Sequence, residues 1–197
     1  MNKINLGVRV RGVLLAIFVV LLFYSVSGYA KEWLFQAGLE HGGDEIVKTY
    51  YDNGDNQTIR GGGLLYLAVG GIFPTAPVSS PSLETQVSVG WKFDSSTAEN
   101  GDVDWDRFPI ELLQFHKTEN WRFGGGLTYH LNPKLEGSGD ASHIQADFDN
   151  ALGYVVEVDY LTNEELMIGV RATFIDYEVN SVSVDGNSIG LLVGVRY

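Results

Sequence analysis

The chain has 197 residues, enough for one domain with a core, and sets 13 basic against 25 acidic residues for a formal charge of −12. That balance argues against nucleic acid as a partner. With no cysteine, a disulfide framework is excluded.

In chain order, Lys3, Arg9 and Arg11 come first, then the apolar run GVLLAIFVVLLF at 12–23, then SVSGYA at 25–30 with small residues at its end. This order is that of a cleavable secretory signal peptide. The apolar run is about a dozen residues, short of the ~20 that a spanning helix needs. The expected division is a signal peptide at 1–30 and one domain at 31–197. Removing the signal takes away three basic residues and no acidic ones, so the exported part is the more acidic. An exported chain without cysteine must draw its stability from packing or from a membrane.

Beyond residue 30 there is no long apolar stretch, yet the whole is 45% hydrophobic, with 24 glycines, ten tyrosines and ten phenylalanines. Abundant glycine disfavours helices and abundant aromatics favour strands. The domain therefore reads as all-β, with eight strands at roughly 32–51, 58–73, 82–94, 104–116, 121–131, 147–161, 165–178 and 186–197. Alternation is clear in LETQVSVGWKF, where Leu83, Thr85, Val87, Val89 and Trp91 oppose Glu84, Gln86, Ser88, Gly90 and Lys92. It returns in ALGYVVEVDY and LMIGVRATFIDY, and is strongest in the terminal SIGLLVGVRY.

A soluble sandwich would put the polar face of such strands in water. An outer-membrane barrel would turn it into a narrow lumen, where opposite charges must pair. Length and connections decide for the barrel. The strands are about ten residues or longer, as a spanning strand requires, whereas soluble strands average about five or six. Compact turns at 74–81, 117–120 and 161–164 alternate with acidic, mostly longer connections at 52–57, 94–102 and 132–146, and a shorter one near 180–186. Short turns on one side and longer loops on the other predict an antiparallel up-and-down transmembrane barrel with both termini in the periplasm. Aromatics are expected in two girdles. Trp33, Phe73, Phe115, Trp121, Tyr160 and Tyr197 form the periplasmic one, and Tyr50, Tyr51, Trp91, Trp105, Phe108, Tyr129, Phe174 and Tyr177 the external one.

The signal peptide, the eight strands and the terminal GVRY resemble the small eight-stranded outer-membrane β-barrel proteins, the group of OmpA-type membrane domains and opacity-like proteins. FPIELLQF at 108–115 followed by WRFGGGLTYHLNPKL at 121–135 resembles an uncharacterised branch of them. The resemblance implies a fold and the outer membrane of a Gram-negative bacterium. It implies that Leu191, Val193, Val195 and Tyr197 are the signal read by the barrel-insertion machinery. It implies no activity, because the family hosts anchors, adhesins and enzymes alike.

A phosphate loop needs a strand, a glycine turn and a helix N-terminus, but Gly124–Gly126 lead into LTYHL, another strand segment. Gly124 and Gly126 are expected to face the lumen and leave room for Arg122, Arg171 or Tyr66, and Gly61–Gly63 permit the same reading. His130 could centre a lipid A-modifying enzyme, yet Asn132 stands where a deacylase of this fold would place its serine. The acidic loops, among them Asp52, Asp55, Asp94, Asp102, Asp104 and Asp106, read as solvated surface beside lipopolysaccharide rather than as a calcium site.

Eight residues are expected to pair inside the barrel: Glu84, Lys92, Glu111, Arg122, Glu157, Asp159, Arg171 and Arg196. The function expected is non-enzymatic, structural or surface-interacting, with no cofactor and no metal. Outer-membrane lipid and lipopolysaccharide are the expected partners, along with a surface ligand of unidentified chemistry. A small-solute or ion channel and the His130 enzyme are the alternatives.

Overall fold

The computed structural model describes residues 32–50, 56–75, 82–98 and 101–197. The signal peptide and its boundary at residue 30 lie outside the described residues, as do Tyr51 and Asp52–Asp55.

Eight long strands form one closed sheet. In chain order they are β1 (Glu32–His41), β4 (Leu64–Pro74), β5 (Ser82–Ala98), β6 (Gly101–Lys117), β7 (Trp121–Gly137), β9 (Ala151–Leu161), β10 (Leu166–Phe174) and β13 (Ser188–Arg196). Each pairs antiparallel with its neighbour, and β1 pairs with β13 to close the ring. The shorter strands β2 (Glu45–Tyr50) and β3 (Asn56–Arg60) form one hairpin, and β11 (Asp176–Val179) and β12 (Val182–Asp185) another. β8 (Gln145–Asp147) adds to the far end of β7. Among the described residues, no helix is long and apolar enough to cross a membrane.

The period-2 pattern explains the wall. Leu152, Tyr154, Val156 and Tyr160 of β9 point outward and are exposed, while Val155, Glu157 and Asp159 point inward and are buried. The same sorting holds on β13, where Leu191 and Val193 are exposed and Leu192 and Arg196 are buried. Apolar outside and charged inside is the inverse of a water-soluble β-protein, and it is the arrangement of a barrel whose outer surface meets lipid.

Three expected strands prove to be two elements each. The stretch 32–51 breaks at Gly42 and Gly43, with φ of 147° and 77°; the second value lies where a side chain would strain the backbone, and the bend sends the chain from the wall into the β2–β3 hairpin. The stretch 58–73 breaks at Gly61–Gly63, and 165–178 breaks after Phe174. Conversely, β5, β6 and β7 each run for 17 residues. At ~3.3 Å per residue that is about 56 Å, more than the ~25 Å apolar band needs even when tilted. Residues 94–98 and 101–102 of the expected loop 94–102, and 132–137 of the expected loop 132–146, therefore continue the sheet beyond the membrane. The short connections 118–120 and 162–165, the end of β4 and the start of β5 lie at the end that carries Glu32 and Tyr197, and the two hairpins and β8 lie at the other.

Candidate functional site

The lumen holds an unusual share of charge. Glu40, Glu84, Asp94, Glu111, Glu157 and Asp159 are buried beside Lys92, Arg107, Arg122, Arg171 and Arg196. Six carboxylates against five cations leave little net charge to solvate, and burial of such groups is tolerable only when they are paired and hydrogen-bonded.

All eight charged residues singled out from the sequence lie inside, at 5% exposure or less. They form linked groups along the barrel axis. At the terminal end Glu84 meets three cations: Arg196 at 2.9 Å, Arg122 at 3.2 Å and Lys117 at 3.3 Å. Arg196 also reaches Glu32 at 2.6 Å, tying the last strand to the first. One level up, Arg122 donates to Asp159 at 2.9 Å and to Oε1 of Gln86 at 3.0 Å. Arg171 then takes three carboxylates: Glu157 at 3.2 Å, Glu40 at 3.7 Å, and Glu111 in close contact. Tyr66 donates its hydroxyl to Glu111 at 2.9 Å, and Lys92 pairs with Glu40 at 2.8 Å. Gln36 donates to Glu157 at 3.0 Å and accepts from Gln86 at 3.2 Å, so neutral amides join the levels.

The register accounts for two of these pairs. Arg122 lies directly across from Asp159 on β7 and β9, and Arg171 directly across from Glu157 on β10 and β9. Cross-strand neighbours on one face are within reach of each other, so the ladder itself sets these ion pairs.

Glu40 and Arg107 were missed from the sequence, and Asp94, expected as solvated loop surface, is instead buried because its parity on β5 turns it inward with Lys92. Glu40 shares the inward face of β1 with Leu34 and Gln36, but it sits next to the Gly42–Gly43 bend, and the expected strand ran straight through. Arg107 lies where the β6–β7 register shifts between Asp106 and Phe108. The extra residue at that shift is on β7, and Arg107 keeps the inward parity of Trp105 and Glu111, so alternation alone marks it as inward.

Apolar clusters also line the lumen. Leu34, Ile72, Leu161 and Met167 cluster near the termini. At the hairpin end Ile59, Val103, Trp105, Leu135, Phe148, Ala151, Ile175 and Tyr177 form the largest apolar cluster. Trp105 and Tyr177 meet edge to face at 5.4 Å between ring centroids. This corrects the expected girdles: Trp105, Tyr177 and Phe115 are fully buried inside, because their parity on the strands turns them inward. Trp121, Tyr160, Tyr197, Trp91, Tyr129 and Phe174 do face outward.

The glycines also do something other than expected. A Cβ on Gly124 would strike the ring of Phe115 and the carbonyl oxygen of Gln114 at 2.6 Å, and one on Gly126 would strike the backbone of Leu112. Gly124 thus makes room for Phe115, whose ring carries the Arg122 guanidinium 3.9 Å from its centroid. His130 is buried, with Nδ1 2.7 Å from the Tyr177 hydroxyl. Leu191, Val193, Val195 and Tyr197 share the outward face of the closing strand, Tyr197 being the most exposed at 70%.

A closed ring of eight antiparallel strands with a charged interior and an apolar exterior admits one architecture. The fold is that of the small eight-stranded outer-membrane β-barrels. The Ail attachment invasion locus protein of Yersinia pestis, solved with the heparin analogue sucrose octasulfate, superposes with a TM-score of 0.52 at 14% identity, over 84% of this chain and 98% of that one. Neisserial surface protein A gives 0.44 at 16%, over 84% and 94%. The N-terminal barrel domain of Pseudomonas aeruginosa OprF gives 0.37 at 12%, over 85% and 98%. No protein-family model matches the chain, and no curated protein matches it.

Outside this barrel's apolar band, β6 carries Asp102, Asp104 and Asp106 on its outward face. Asp104 stands directly across from Glu136 of β7. Partial burial, then Asp106, Asp102 and Glu136 in turn, push the Asp104 carboxyl above its ordinary value. Among the described residues, no group of acidic and histidine side chains has the arrangement of a metal site.

Proposed function

We propose that this protein is a non-enzymatic outer-membrane barrel with a lumen filled by its own side chains, both termini in the periplasm, and a structural or surface-interaction role carried by its acidic hairpin end. The supporting observation is the run of ion pairs from Glu32 and Arg196 at one end to Lys92 and Glu40 near the other, beneath the Trp105–Tyr177 cluster. Opening a path through it would separate several buried pairs at once, each costly to break. The interior of an eight-stranded barrel is in any case just wide enough for side chains.

His130 supports this reading over the enzyme. Its ring meets a tyrosine hydroxyl under the apolar cluster, where a hydrolytic base would need a nucleophile and access to a lipid chain. Ail was solved with a sulfated polyanion, but the outward Asp102, Asp104, Asp106 and Glu136 of this chain would repel one. The surface ligand we propose is therefore cationic, or attached through cations shared with lipopolysaccharide.

Planar-bilayer recording of the purified, membrane-inserted protein is the test. A quiet bilayer at protein levels where a porin gives steps is the expected result, and reproducible unit steps would reject the filled lumen in favour of a channel.

A further inference from the structure

Of the five buried cations, four have a carboxylate within 4.0 Å: Lys92, Arg122, Arg171 and Arg196. Arg107 has none among the described residues. Its guanidinium is fully buried, stands 4.9 Å from the Trp105 ring centroid, and donates through Nη2 to the carbonyl oxygen of Gly63. Its Nε and Nη1 have no hydrogen-bond partner among the described residues. Lys92 is its direct cross-strand neighbour, a second cation where an anion would be expected. Two buried carboxylates lie near enough to act on it, but Glu40 is paired with Lys92 and Asp94 accepts from the backbone N–H groups of Arg60 and Ser95.

An enclosed guanidinium with free donors, a cationic neighbour and no carboxylate in contact is an unfavourable state for such a group. A bound anion would relieve it, because charge-assisted hydrogen bonds to a guanidinium are the strong kind. We infer that Arg107 anchors a small-anion site between the ion-pair network and the Trp105 cluster, taking a monovalent ion of the size of chloride. Full enclosure selects against larger oxyanions, and a divalent ion would have to shed far more hydration. The anion would be a structural counter-ion, completing the charge pairing that the chain's own carboxylates leave open at this level.

The full chain, extracted from membranes in detergent, is crystallised in sodium bromide. An anomalous peak in contact with Nε or Nη1 of Arg107 is the expected result. A water there, or Arg107 turned onto Asp94, overturns the site. In parallel, thermal unfolding is followed as gluconate is replaced by bromide at constant ionic strength. We expect a saturable rise in Tm of about 2–4 °C, with quenching of Trp105 fluorescence that is lost in Trp105→Phe. Arg107→Gln should abolish the bromide dependence, and an equal dependence in that variant also rejects the inference. Because the anomalous measurement uses the unaltered protein, a variant that fails to fold leaves the question decidable.

Discussion

Arg122 and Asp159 face each other across neighbouring strands with no exposure to solvent, their side chains joined at 2.9 Å. The pair shows how this barrel solves its central problem. Strands with apolar residues turned to lipid must put everything else inside, and a lumen of eight strands has no room for the water that charges would otherwise need.

The first prediction concerns removal of one partner. Arg122→Met takes the guanidinium from both Asp159 and Glu84, leaving uncompensated buried charge. The expected loss is about 3–5 kcal/mol, read by urea unfolding of the vesicle-inserted protein. Adding Asp159→Asn should recover part of that loss, because one stranded carboxylate disappears. A loss below about 1 kcal/mol for the single change would show that the pair contributes little.

A second prediction concerns Asp104, above the membrane band. Its folded-state pKa lies above the ordinary value of 3.8, so ionising it costs the folded chain more than the unfolded one. That penalty is absent below pH 3.8 and fully present at neutral pH. Asp104→Asn should therefore stabilise the protein at pH 7, by a few tenths of a kcal/mol given its partial exposure. The gain should vanish as the pH falls below 3.8. Unfolding midpoints at the two pH values check this, and a gain that persists in acid would reject the cost of ionising Asp104 as its cause.

Parity was readable from single strands, and this is why the eight inward charges could be named from the sequence. Alternation says which face a residue occupies, but not which residue stands opposite. The Arg171–Glu157 contact needs the register of β10 on β9, and the Arg196–Glu32 contact needs closure of the ring. Parity also misled where aromatic character was allowed to outweigh it. Trp105, Phe115 and Tyr177 read as membrane-girdle rings, yet each sits on the inward face of its strand and is buried there. Arg107 shares the inward parity of Trp105 and Glu111 in the unbroken alternation of β6, so the rule that named Glu111 would have named it as well.

The third prediction separates hydrogen bonding from packing in the apolar cluster. Tyr177→Phe keeps the ring against Trp105 and Phe148 but removes the hydroxyl from Nδ1 of His130. That leaves a buried nitrogen without its partner, at a cost of about 1–2 kcal/mol. Tyr177→Ala also loses the packed ring and should cost about 3–5 kcal/mol. The two variants compared by urea unfolding should keep this order, and equal losses would mean that the ring packing is unimportant.

The fourth prediction returns to the triple glycine. Gly124→Ala places a methyl group into the Phe115 ring and 2.6 Å from the Gln114 carbonyl oxygen. The ring can be made smaller, but the carbonyl belongs to a paired strand and cannot retreat. Overpacking of this kind typically costs about 1–3 kcal/mol. Phe115→Leu in the Gly124→Ala background should restore only part of it, because the backbone contact remains and the Arg122 guanidinium loses the ring it stacks on. Gly125→Ala, on the outward face of β7, meets Val155 backbone oxygen at 2.5 Å but no ring, so Phe115→Leu should give it no relief. If the smaller side chain rescued both glycine variants equally, the close approach of Gly124 to Phe115 would not be the reason this position excludes a side chain.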